Sequence, residues 1–118
     1  LPDNTATEIF NVSLPSKNTG CSVHTSFTYF TTNGTNAVTH SGIFLWSFVN
    51  QNGTVTGVGV DSTEAVVGTG CNAACEALTV TVASTTATAK VDFNNTLSTI
   101  GSITFNVLNN SCQTLVLP

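Results

Sequence analysis

Apolar residues recur at every second position along most of this 118-residue chain, and no stretch of helical length carries them at spacings of three and four. Residues 8–14 set Phe10, Val12 and Leu14 against Ile9, Asn11 and Ser13, and residues 21–31 set Val23, Phe27 and Tyr29 against Ser22, His24, Ser26 and Thr28. The same alternation opposes Leu78, Val80 and Val82 to Thr79 and Thr81, and Ala89, Val91 and Phe93 to Thr88, Lys90 and Asp92. Ile103, Phe105 and Val107 continue it. Successive side chains on a strand point to opposite faces, so each such segment is a strand with one face for a core and one for water. With 43–49, 54–60 and 113–117 added, about eight strands separated by polar turns result. That pattern predicts an all-β fold, a two-sheet antiparallel β-sandwich of immunoglobulin-like or related kind, as a single domain over 1–118.

The turns carry their own signals. Asn33-Gly34 and Asn52-Gly53 suit the positive φ angles of two-residue type I′ hairpins. Between them, Phe44, Trp46 and Phe48 share one face while Ile43, Leu45 and Val49 share the other, which predicts a central strand buried on both sides or a strand with one face lining a groove. Val55 is out of phase with Val58 and Val60, and Gly57 is the natural place for a β-bulge to absorb the slip. Asp61-Ser62-Thr63-Glu64 has the form of a weak capping box, and 71–75 that of a single helical turn. The Thr-rich stretch 84–88 reads as a turn.

Charge is scarce. Six acids face only Lys17 and Lys90, with no arginine, for a net charge of −4. Nucleic acid is excluded as a partner, since phosphate contacts and base readout both need clustered Lys and Arg. Binding to anionic membranes fails for the same reason. Membrane insertion is not expected either, because the longest fully apolar run, Ile43-Phe44-Leu45-Trp46, is far short of the ~20 residues that span a bilayer. In place of charge the chain offers five Asn-x-Ser/Thr sequons, at Asn11, Asn33, Asn52, Asn94 and Asn109. A sequence this rich in Asn, Thr and Ser produces some sequons by composition alone, yet several lie at turns able to carry a glycan. The opening Leu1-Pro2-Asp3, with no methionine and no basic or apolar leader, is what signal-peptide removal leaves. The expected setting is secreted and extracellular.

An even set of cysteines fits that setting, and two disulfides are expected among Cys21, Cys71, Cys75 and Cys112. Three pairings are open. The favoured one staples Cys71 to Cys75 locally and ties Cys21 to Cys112 across the domain. A zinc site of Cys71-x3-Cys75 with His24 and His40 is the competing arrangement, but its histidines lack a short ligand spacing, so no metal and no cofactor are expected.

Catalytic signals are weak. His24 and His40 are the side chains that titrate near neutral pH, and both read as polar surface histidines; there is no nucleophile-elbow or zinc-protease motif. Among the acids, Glu8 and Asp92 alternate outward, while Asp61 and Glu64 read as turn or cap residues, so a carboxylate pair of the glycosidase type is not indicated. Asp61-Ser62-Thr63-Glu64 is too incomplete for calcium, and blue copper lacks its axial methionine. The aromatic residues are the best recognition candidates, because their faces stack on sugars or anchor interfaces. Most belong in a core of this size. Phe30, out of phase with Phe27 and Tyr29, is the one expected at the surface, with Tyr29 and Trp46 beside it as candidate binding residues.

The Thr- and Asn-rich, arginine-free, sequon-bearing body resembles small secreted glycoproteins of fungi, including the fungal immunomodulatory proteins. In size, acidity and two-disulfide count the chain is also similar to the bacterial enediyne-carrier apoproteins, which are immunoglobulin-like sandwiches. These resemblances are compositional and carry over no residues. They imply a non-enzymatic secreted glycoprotein that binds a cell-surface protein or carbohydrate in an immunomodulatory or defence role, with a homodimer compatible with such a role. The alternatives are a small secreted hydrolase acting on glycans, which a buried or paired carboxylate in a cleft would favour, and a carrier of a hydrophobic small molecule, which needs a deep apolar pocket.

Overall fold

The computed structural model describes residues 5–71 and 75–118. Among them lie eight strands and no helix: β1 (Thr7–Ser13), β2 (Thr19–Thr32), β3 (Ala37–Gln51), β4 (Thr54–Gly68), β5 (Glu76–Ala83), β6 (Thr86–Phe93), β7 (Ser102–Asn110) and β8 (Leu115–Val116). They form two antiparallel four-stranded sheets, ordered β5-β6-β1-β8 and β4-β3-β2-β7. The chain is the expected all-β sandwich. β2, β3 and β4 run on as one long meander of 14, 15 and 15 residues. At about 3.3 Å per residue, β3 alone spans nearly the 52 Å long axis of the molecule.

The opposing sheet is made of shorter strands, with 7 residues in β1 and 8 in each of β5 and β6. Part of the long sheet therefore lies beyond it and is roofed by connections. The β6–β7 connection is organised by Asn95, which donates to the Tyr29 hydroxyl at 2.9 Å and to the Thr99 carbonyl at 2.8 Å while its own carbonyl accepts from the Leu97 and Thr99 amides. Thr31 and Thr99 join by their hydroxyls. Thr96 N donates to Gly70 O and Asn94 N to Cys75 O, which fastens this roof to the β4–β5 connection.

The core lies between the sheets. Phe10, Val12, Ala87, Ala89, Val91 and Phe93 face Val23, Phe27, Tyr29, Val38, Phe44, Trp46 and Phe48, all buried. Trp46 and Tyr29 are fully enclosed, so neither offers the surface for ligand stacking that the sequence left open; Phe30, 43% exposed, does. Trp46 packs edge-on to Phe10 at 5.5 Å and to Phe44 at 6.2 Å, and its Nε1 donates to Thr25 Oγ1 at 3.1 Å. Tyr29 stacks on Phe93 at 4.1 Å.

Gly57 and Gly59 are not bulge residues. They sit in continuous register opposite Phe48 and Trp46, and a Cβ on either would run into those rings. The two rings reach over β4 because it carries no side chain there, while Val58 and Val60 turn outward. The register shift comes later, where Ile43 pairs with Thr63 and Phe44 with Asp61, leaving Ser62 as the extra residue.

Of the two Asn-Gly turns, Asn52 (φ 53°) and Gly53 (φ 96°) form the two-residue type I′ hairpin between Gln51 and Thr54. The other is a four-residue loop in which Asn33 Oδ1 accepts from the Thr35 and Asn36 amides. Disulfides join Cys21 to Cys112, with Cα atoms 4.9 Å apart, and Cys71 to Cys75, 5.5 Å apart. The expected helical turn at 71–75 falls partly outside the described residues.

Candidate functional site

The Ser62 bulge has a chemical effect. Residues 61 and 64 would face opposite ways on a regular strand, but with one extra residue between them Asp61 and Glu64 both take inward positions, opposite Phe44 and Gly42. They are strand residues, not the turn or cap residues the sequence suggested. Two positions along β3 from Gly42 stands His40, fully buried because the even-numbered residues of this strand point inward; the polar surface histidine expected here is a core residue. Its ring meets Phe27 and Phe93 edge-on, with centroids 5.2 and 6.0 Å away.

The first residue of β5, Glu76, completes the group, its side chain fully enclosed. Glu76 Oε2 lies 3.5 Å from His40 Nδ1, and Glu64 Oε1 lies 3.7 Å from His40 Nε2. The Cys71–Cys75 disulfide closes one side, its sulfurs 3.4 and 3.6 Å from His40 Nδ1. Burial, reinforced by hydrogen bonds with Asp61 and Glu64, pushes the Glu76 carboxyl up to about 10. Burial also holds the His40 imidazole below its usual range, outweighing the attraction of Glu64 and Asp61. At neutral pH the group therefore contains a neutral imidazole and a protonated Glu76. Asp61, at the exposed rim, is raised as well, with desolvation outweighing its hydrogen bond with Glu76. Three buried atoms here, His40 Nε2, Glu64 Oε1 and Glu76 Oε1, have no hydrogen-bond partner.

A second feature lies on the opposite surface of the same sheet. All four strands, β4, β3, β2 and β7, contribute to a shallow depression of ≈ 350 Å³ whose polar lining is Ser26, Thr28, Ser41, Thr63, Thr104 and Asn106. Gly42 forms the floor with its register partners Phe27 and Glu64, so Glu64 belongs to both the buried group and the depression. Gly42 has no room for a side chain, since a Cβ would meet the Thr63 carbonyl and the Phe27 ring. Phe30 lies two residues beyond Thr28 on the same face of β2. A smaller, mostly apolar recess of ≈ 190 Å³, lined by Ile9, Phe10, Thr25, Phe105, Asn106, Val107 and Leu117, opens between the sheets near β7 and β8 and shares Asn106 with the depression.

His24, offered by the sequence as a companion to His40, pairs with Leu45 on the outer face and takes no part in the buried group. The sequons fall on β1 (Asn11), on the two hairpin turns (Asn33, Asn52), after β6 (Asn94) and on β7 (Asn109). All are exposed except Asn11, which is half-buried and donates to Glu8 at 3.4 Å. The sequence did not bring Asp61, Glu64 and Glu76 to His40, because a one-residue bulge leaves no mark in composition. The available signal was Glu76 directly following Cys75.

No protein-family model matches the chain, no curated protein matches it, and no solved structure matches it.

Proposed function

We propose that this is a secreted, non-enzymatic glycoprotein that binds neutral carbohydrate through the outer face of the β4-β3-β2-β7 sheet. The observation that carries the reading is the depression around Gly42: six hydroxyl or amide side chains in a shallow surface, with an exposed phenyl ring alongside and Glu64 as the one acidic residue of its lining. Hydroxyl and amide groups can both donate and accept, which suits sugar hydroxyls, and Phe30 supplies a face for the apolar side of a pyranose. Glycans on the exposed sequons Asn33, Asn52, Asn94 and Asn109 belong to the same proposal, as does a cell-surface immunomodulatory or defence role.

The hydrolase alternative is favoured by one observation, a protonated Glu76 beside Asp61. Glu76 is enclosed on all sides, however, and a glycosidase acid must reach the glycosidic oxygen. The recess near β7 and β8 is small for a carrier, below the ~300 Å³ at which drug-sized ligand pockets begin.

The test is a titration against a panel of neutral oligosaccharides. Wild type is expected to bind at least one saturably and without turnover, and Phe30→Ala to weaken binding roughly tenfold with an unchanged melting temperature. Unaltered binding by Phe30→Ala, or release of shortened sugars, would overturn the reading.

A further inference from the structure

The buried group around His40 is not used by a sugar-binding face on the other side of the sheet, and its geometry is that of a ligand set. In a tetrahedral zinc site, metal–sulfur bonds of about 2.3 Å and metal–nitrogen or metal–oxygen bonds of about 2.0–2.2 Å place neighbouring donor atoms about 3.4–3.8 Å apart. Four separations here fall in that range: Cys71 Sγ to His40 Nδ1 at 3.4 Å, Cys75 Sγ to His40 Nδ1 at 3.6 Å, Glu76 Oε2 to His40 Nδ1 at 3.5 Å, and Cys75 Sγ to Glu76 Oε2 at 3.8 Å. The ligand atoms of His40, Cys71 and Cys75 lie within 4.8 Å of one another. What prevents the two sulfurs from sharing a metal is the bond between them.

We propose that Cys71 and Cys75, once reduced, form a tetrahedral zinc site with His40 and Glu76, so that the β4–β5 connection is held either by a disulfide or by a metal ion. A dithiol reductant supplies two electrons and two protons, breaking the sulfur–sulfur bond and becoming a disulfide itself. Zinc then displaces the two thiol protons and the Glu76 proton, and bonds to both sulfurs, His40 Nδ1 and Glu76 Oε2. The sulfurs must part to about 3.8 Å to share one zinc ion.

One observation beyond the donor distances points to a ligand. His40 and Glu76 are buried, and His40 Nε2, which stands 3.7 Å from Glu64 Oε1, and Glu76 Oε1 have no hydrogen-bond partner, so two polar side chains sit in the core incompletely paired. With a metal on Nδ1 the far nitrogen carries the proton, and Glu64 is the carboxylate placed to receive it. Thiolate with imidazole and carboxylate is a donor set suited to zinc, and Co²⁺ serves as its spectroscopic substitute.

The experiment compares oxidised protein, protein treated with a dithiol reductant, and the Cys71→Ser/Cys75→Ser variant treated in the same way. Only reduced wild type should develop the thiolate charge-transfer and ligand-field bands of tetrahedral Co²⁺. One equivalent of Zn²⁺ should bleach them, and native mass spectrometry should show one bound zinc. The double variant keeps Cys21 and Cys112, so it reports any binding by that pair. Glu76→Gln preserves the side-chain shape and should weaken zinc binding tenfold or more. If the double variant does not fold, Glu76→Gln and Cys75→Ser supply the comparison. The proposal is overturned if reduced wild type binds no zinc, if the oxidised protein or the double variant binds it equally, or if Glu76→Gln binds with undiminished affinity.

Discussion

The contact between Trp46 and Gly59 tests whether the aromatic residues of β3 reach across β4 as described. Trp46 is fully buried, and a Cβ built on Gly59 would fall within the indole ring's own space. Gly59→Ala should therefore destabilise the fold by about 1–3 kcal/mol through overpacking, although alanine is otherwise the better residue in an extended strand. Trp46→Leu should also destabilise, by about 3 kcal/mol, because it leaves a cavity beside Phe10 and removes the indole donor from the buried Thr25 hydroxyl. In the double variant the added methyl enters the vacated space. The two penalties should then fall short of additivity by about 1 kcal/mol or more, within the roughly 0.5–3 kcal/mol found for residues in contact. Urea unfolding followed by far-ultraviolet circular dichroism gives all four corners of the cycle, since removing the only tryptophan removes fluorescence as a probe. Additivity to within about 0.3 kcal/mol would refute the packing of Trp46 on Gly59, because residues out of contact behave that way.

Three further outcomes follow. A raised Glu76 carboxyl is a stabilising contribution fully present below its unfolded pKa of about 4.3 and lost as pH rises toward about 10, whereas the lowered His40 pKa weakens the fold only below about 6.5, so above pH 7 the melting temperature follows Glu76. It should then fall by up to about 5 °C per unit from pH 7 to 9, the linkage of one proton in a domain of this size, and a curve equally steep in Glu76→Gln would contradict the assignment. Replacing Cys21 and Cys112 with alanine should cost about 2–5 kcal/mol in denaturant unfolding, and a loss under 1 kcal/mol would argue against this tie. Asn50→Ala should cost about 2 kcal/mol, because its buried amide bonds the Leu14 carbonyl and the Gly53 amide; an unchanged unfolding midpoint would contradict that role.

The strands were legible because alternation is a direct consequence of strand geometry: 76–83 and 102–108 needed only their Leu, Val, Ile and Phe residues to be placed. Asn52-Gly53 announced its turn for an equally local reason. Asn33-Gly34 did not, since Asn33 spends its side chain on two backbone amides and opens the turn to four residues. β4 was misphased because Gly57 and Gly59 fill inward positions, and a glycine chosen to admit a neighbour's ring has no hydrophobic signature. The buried group was hidden by the next step of the same strand. Once Ser62 is extra, parity changes, and Asp61 and Glu64 meet His40 across two strands and a loop. Such an arrangement depends on register and cross-strand pairing, which no single segment contains.

Binding of a neutral sugar on the outer face of the long sheet, as proposed, is tested by mapping backbone amide shifts in isotopically labelled protein titrated with an oligosaccharide from the binding panel. Saturable shifts are expected to concentrate at Ser26, Thr28, Phe30, Ser41, Thr63, Thr104 and Asn106, with β5, β6 and β1 unmoved. Shifts centred on the β5-β6-β1-β8 sheet or the recess near Phe105 and Leu117, or no saturable shift with any neutral sugar, would contradict it.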